Sequence, residues 1–144
     1  MKLARLHIAA FMLLVGGFAA MFGPAPAFAG KDDPVFINLT SDDAHNVVMA
    51  FTASKHMSEA GHPATLFLNG KAVLMLNKNM STMYGEQQKE LKEMMGKGIT
   101  VIACGHCVKH LDLKDSDLLE GVKIGTPAIM NETLFKDNTK TLSW

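Results

Sequence analysis

A chain of 144 residues, 48% hydrophobic and 19% charged, is sized for a single domain and too apolar to be disordered. Lys+Arg and Asp+Glu both number 14, so the formal net charge is zero, and no run of like charges appears. That balance argues against a nucleic-acid binder, which needs a basic face, and two cysteines are too few for a disulfide scaffold but enough for one reactive or metal-binding pair.

The chain opens with an address. Lys2 and Arg5 give a short positive start, Ile8 to Phe22 is an uncharged and mostly apolar run, and Ala27-Phe28-Ala29 is an A-x-A cleavage signature. Residues 1–29 therefore read as a secretory signal peptide cut after Ala29. The apolar run is about fifteen residues long, short of the roughly 20 that span a bilayer. The alternative is an uncleaved N-terminal anchor. No Cys stands at the cleavage point to carry a lipid. Cleavage leaves residues 30–144 with 12 basic and 14 acidic side chains, a net charge of about −2. The expected product is soluble, periplasmic or secreted, and without stable membrane insertion. Such a compartment is oxidising, which bears on what two cysteines can do.

In chain order, Val35 to Leu39 follows Pro34 as a compact apolar, β-branched run and predicts a buried strand. Thr40-Ser41-Asp42-Asp43 supplies N-cap chemistry for a helix over Ala44 to Ala60, where Ala44, Val47, Val48 and Phe51 recur at helical spacing before Gly61. Thr65 to Leu68 is a second strand ended by Asn69-Gly70, so the first elements form a βαβ unit and predict a parallel sheet. Ala72 to Met83 is left between a short helix and a loop. Glu86 to Met95 is rich in good helix formers and is stopped by Gly96 and Gly98. Ile99 to Ala103 is the third strand and runs directly into Cys104-Gly105-His106-Cys107. Beyond it, Asp115-Ser116 predicts a capped short helix over Asp117 to Glu120, and Val122 to Ile124 a brief strand. Thr126-Pro127 opens another helix, and Thr139 to Trp144 is a last strand. The fold class is α/β: a single three-layer domain around a mostly parallel sheet of about five strands, with helices on both faces.

Chemistry is expected at the cysteine pair. Cys104 ends a strand, and the carboxyl edge of an open α/β sheet is where ligands and reactive groups gather. A helix starting at Gly105 would favour the Cys104 thiolate, and His106, Lys109 and His110 are near enough in sequence to add positive charge. The plain alternative is a non-catalytic interaction subunit whose pair is a structural disulfide formed by default. Cys-Gly-His-Cys is also the tetrapeptide of protein disulfide isomerase sites, but a thioredoxin fold carries its pair after an early strand, not the third. No His directly follows Cys107, which excludes c-type haem attachment. A further alternative is copper or zinc held by Cys104, His106, Cys107 and His110, since thiols and imidazoles suit those ions. Four ligands within seven residues rarely wrap one ion, however. Met49, Met94 and Met95 read as packing. His45 falls in a first helical turn near the same sheet edge, whereas His56 and His62 read as solvated surface residues. No phosphate-binding Gly-rich loop is present, so no organic cofactor is implied.

With these residues placed, the chain resembles the DsrE/DsrF-like family of small sulfur-relay proteins from about Val35 to Trp144. Thr40 to Ala50 resembles the family's first strand-to-helix stretch, and Ala60 to Val73 its helix end, second strand and following Gly-Val segment. Ile99 to Cys107 and Asp117 to Val122 resemble its strand, Cys-x-x-Cys and acidic-leucine stretch. The resemblance implies a sulfur carrier or sulfurtransferase-like protein. Cys104 would be the persulfide-bearing nucleophile and Cys107 the resolving thiol, with His106 and Lys109 favouring the thiolate. It also implies homo-oligomers, trimers or hexamers, and a donor or acceptor that is a protein or a small sulfane-sulfur compound. Leu111-Asp112 stands where Cys-x-x-Cys members often carry Arg-Gly. Together with the leader, this points to an exported relative with its own donor and acceptor.

Overall fold

The computed structural model describes Gly30 and residues 32–144, so the leader and its cleavage point lie outside the described residues. Five strands form one sheet: β1 (Val35–Leu39), β2 (Ala64–Leu68), β3 (Thr100–Cys104), β4 (Lys123–Gly125) and β5 (Lys140–Ser143). Their order is β4-β3-β2-β1-β5, and every pairing is parallel. The expected α/β class and strand number are borne out, and the sheet is wholly rather than mostly parallel. A parallel sheet places all strand carboxyl ends on one edge. Leu39, Leu68, Cys104, Gly125 and Ser143 therefore end along the same rim.

Register decides which side chains make the core. Ile37 pairs with Leu66 and Leu66 with Val101, so these three side chains share a face, and all are buried. Helix α1 (Ala44–Glu59) lays Val47, Ala50, Phe51 and Ser54 on it, and α2 (Ser81–Gly96) adds Tyr84, Leu91 and Met94. Burial of Val47, Phe51, Leu91 and Met94 contributes about 1.5–3 kcal/mol each. Asp43 is the residue that caps α1: its carboxylate accepts from the backbone N–H groups of His45 and Asn46. Lys55 of α1 and Glu90 of α2 tie the two helices across their outer side at 2.6 Å.

The first three crossovers step in one direction, β1 to β2 to β3 to β4, whereas the last carries the chain from one sheet edge to the other. That final crossover holds α4 (Pro127–Leu134), whose Ile129 and Thr133 share a surface cleft with Thr65, Thr100 and Ile102. These strand residues alternate with the core-facing ones, so α4 lies on the opposite face and helices cover both faces, as expected. Thr126 caps α4 and Pro127 opens it, again as the sequence predicts.

Several local expectations change. Ala72 to Met83 lies within two 3₁₀ segments, Gly70–Leu76 and Lys78–Met80, and the start of α2. Its Ala72, Val73, Met75 and Leu76 are buried, so this stretch is core and not loop. Helix α2 begins at Ser81, five residues before Glu86, with a kink at Tyr84 (φ −120°, ψ 22°). The kinked turn buries the Tyr84 ring and sends its hydroxyl to Asp42, a tertiary contact invisible to helix propensity. No helix forms over Asp117 to Glu120. The chain makes a single 3₁₀ turn at Asp115–Asp117, and Leu118 then bridges Asn77 while Leu119 donates its N–H to the Leu76 carbonyl. Both leucines are buried, and seating them takes an extended backbone. Met49 is 41% exposed and so is not packing, whereas Met94 is buried. His62 is half-buried with its Nδ1 against the Asp33 carbonyl, not freely solvated, and His56 is exposed as expected.

Candidate functional site

Cys104 is both the last residue of β3 and the N-cap of α3 (Gly105–His110). From its backbone (φ −59°, ψ 111°) the chain turns into the helix, and the side chain reaches back to a first-turn N–H. The Cys107 N–H donates to Cys104 Sγ at 3.2 Å. The Cys107 sulfur lies 2.7 Å from the same sulfur. Cys104 Sγ thus sits over the start of α3, held by a backbone N–H and in contact with the second sulfur. Both cysteines are free and half-buried.

Burial pushes the Cys107 thiol up, and its hydrogen bond with Cys104 pushes it further in the same direction. Backbone N–H groups oppose this, chiefly that of Gly70, which donates to Cys107 Sγ at 3.3 Å. Gly70 follows the end of β2, on the neighbouring strand, and its φ of +53° turns the chain into the 3₁₀ segment. A Cβ there would lie 2.8 Å from the Thr40 carbonyl oxygen. Asn69 anchors the turn by donating its N–H to the Leu39 carbonyl and its side-chain amide to Asn38 Oδ1. The ends of β1, β2 and β3 are therefore wired together around two sulfurs.

Beside the pair lies an apolar groove of about 270 Å³. Leu74 and Leu111 give it apolar walls, and Gly70, Lys71, His106 and His110 complete the lining around Cys107. His106 and His110, one helical turn apart, stack with ring centroids 6.4 Å apart. Cys104 and Lys109 are not among the lining residues. The structure thus brings Cys104 and Cys107 together and sets His106 and His110 on the groove beside Cys107, while Lys109 is exposed and outside the groove. His45 is exposed in the first turn of α1. Among the described residues no three His, Cys, Asp or Glu side chains converge as a metal-binding group. Sequence reading passed over Gly70, Leu74 and Leu111; the one available signal was Asn69-Gly70 at the carboxyl end of a strand neighbouring β3.

The DsrE/DsrF-like family model matches residues 34–138. No curated protein matches the chain. Among solved structures, it is similar to MTH1491 of Methanobacterium thermoautotrophicum, described as a protein of unknown function, at 17% identity and a TM-score of 0.66 over 78% of this chain and 100% of that one. It is similar to the ychN protein of E. coli at 17% identity and a TM-score of 0.66, over 78% of this chain and 99% of that one. BT1422 of Bacteroides thetaiotaomicron, a conserved protein of unknown function, matches at 24% identity and a TM-score of 0.58, over 78% and 95% of the two chains. At these identities the structural likenesses speak to fold alone. The family match spans the whole sheet up to the approach to β5 and includes both cysteines, and the chain belongs to the DsrE/DsrF-like family.

Proposed function

We propose that this protein is an exported sulfur carrier or sulfurtransferase-like protein in which Cys104 bears a persulfide and Cys107 resolves it. One observation carries the reading: Cys104 Sγ, at the carboxyl rim of a parallel sheet, accepts from the Cys107 N–H and lies 2.7 Å from Cys107 Sγ. Two sulfurs in contact at the sheet rim are placed for thiol–disulfide exchange. Family membership supports the same chemistry.

In the loading step the Cys104 thiolate attacks the outer sulfur of a sulfane donor. One S–S bond forms and one breaks, and the donor's remainder leaves as a thiolate, or as sulfite from thiosulfate. No electrons are gained or lost overall. In the release step Cys107, as thiolate, attacks Cys104 Sγ, closes the disulfide and expels hydrosulfide; the two electrons leave with the sulfur. Alternatively an acceptor thiolate takes the outer sulfur directly and the pair stays reduced. His106 favours the loaded state from beside the groove when protonated, and Lys109 adds distant positive charge. The protein works in the periplasm or outside the cell, as a homo-oligomer, and no metal or organic cofactor takes part.

Intact-mass spectrometry of reduced protein exposed to polysulfide or thiosulfate tests this. Wild type gains one sulfur, Cys104→Ser gains none, and Cys107→Ser gains one and keeps it longer. A parallel copper and zinc titration guards the reading. Tight binding of one ion per chain, weakened alike by both substitutions, with no sulfur gained, overturns it in favour of a metal carrier. A pair that takes neither sulfur nor metal and resists reduction makes the disulfide structural.

A further inference from the structure

The release step leaves a Cys104–Cys107 disulfide, and the site works again only after something reduces it. We propose that the reductant is a small organic thiol whose apolar body lies in the groove between Leu74 and Leu111, and that it attacks Cys107 and not Cys104. This rests on the proposed function only in taking the disulfide as a working state.

Thiol–disulfide exchange selects the sulfur that can be reached in line and the leaving thiolate that is better held. Hydrogen bonding does not separate the two sulfurs, because each accepts a backbone N–H, from Gly70 at Cys107 and from Cys107 at Cys104. Access does separate them. Cys107 lines the groove and Cys104 does not. Leu111 is 36% exposed, so apolar surface is held open beside the reacting sulfur. The volume of about 270 Å³ falls just under the roughly 300 Å³ at which pockets for drug-sized ligands begin, which suits a small molecule. No carboxylate lines the groove to repel an incoming thiolate, and Lys71, His106 and His110 stand beside it.

The reaction balances with two thiols. The first, as thiolate, bonds to Cys107 Sγ, the Cys104–Cys107 bond breaks, and Cys104 leaves as a thiolate into its hydrogen bond from the Cys107 N–H. A second thiolate attacks the sulfur of the bound thiol, releasing Cys107 and the oxidised small disulfide. Two electrons pass from two thiols to the cysteine pair.

The test oxidises the pair in the full mature protein with diamide. The disulfide is then exposed to phenylmethanethiol or to 2-mercaptoethanol, thiols of similar acidity, and the reaction is quenched in acid. Peptide mass spectrometry is expected to find the adduct on Cys107 and a freed, alkylatable Cys104. The aromatic thiol is expected to react about fourfold faster or more, the factor for one methylene's worth of buried surface. Leu111→Asn is expected to bring that ratio towards one. An adduct on Cys104, or equal rates in wild type, overturns the proposal. So does a protein dithiol that reduces the pair while both small thiols leave it intact. A pair that diamide fails to oxidise removes the state the proposal needs. None of these readouts involves sulfur loading, so the persulfide reading stands or falls separately.

Discussion

Gly105 and Gly125 meet where α3 leaves β3 beside the end of β4: a Cβ on Gly105 would lie 2.8 Å from the Gly125 carbonyl oxygen and 3.2 Å from Ile124 Cγ2. The obstacle is mostly backbone, and that backbone is pinned by the parallel pairing of Ala103 with Ile124 and of Cys104 with Gly125. The absence of a side chain at Gly105 is what lets α3 begin directly after Cys104.

Gly105→Ala is therefore expected to push α3 away from β4 and lengthen the hydrogen bond from the Cys107 N–H to Cys104 Sγ. Overpacking of this kind costs about 1–3 kcal/mol. Urea denaturation reads the stability loss, and iodoacetamide rates at neutral pH read the thiolate. Slower alkylation together with lower stability is the expected pair of results.

Gly70→Ala meets two penalties. The left-handed backbone (φ +53°) costs a non-glycine residue about 1–2 kcal/mol, and the new Cβ would lie 2.8 Å from the Thr40 carbonyl oxygen. Relief requires the turn to move, which withdraws the N–H from Cys107 Sγ. The expected outcome is a lower melting temperature and a Cys107 thiol raised still further, read from thiolate absorbance near 240 nm in a pH titration.

The Cys107 thiol also reports on its neighbour. Burial is the largest cause of its raised value, and the hydrogen bond and charge of Cys104 add to it. Cys104→Ser removes the sulfur partner but not the burial. The Cys107 thiol is expected to titrate at lower pH than in wild type while staying above the ordinary cysteine range. A titration that rises or does not move contradicts the coupling.

Tyr84 gives the fold its own pH dependence. Burial first, and then the hydrogen bond and charge of Asp42, hold the phenol above the usual tyrosine range. A raised folded value means that this stabilisation is fully present below about pH 10 and is lost as pH rises through the folded value. Tyr84→Phe is expected to cost about 1 kcal/mol at neutral pH through the lost hydrogen bond. It is also expected to flatten the alkaline fall in stability, seen by comparing urea midpoints at neutral and strongly alkaline pH.

Much of this architecture was legible in the residues. Val35 to Leu39, Thr65 to Leu68 and Ile99 to Ala103 declare strands because their β-branched and apolar side chains are buried on a sheet with helices on both faces. Asp43, Thr126 and Pro127 declare helix starts because capping is local chemistry, settled within three residues. Cys104 could be placed at the sheet rim for the same reason: the strand before it is unambiguous. The failures are equally physical. Ala72 to Leu76 and Leu118-Leu119 are apolar stretches without a helical or strand period, and they bury one another through contacts more than forty residues apart in sequence. Local propensity is silent on such contacts. The same holds for the site: the order of Cys104 and Cys107 was in the sequence, but only the packed sheet brought the Gly70 N–H to one sulfur and opened the Leu74–Leu111 groove beside it. Hydrogen bonds and grooves between separate strands depend on register and crossover direction, which the chain fixes by folding as a whole.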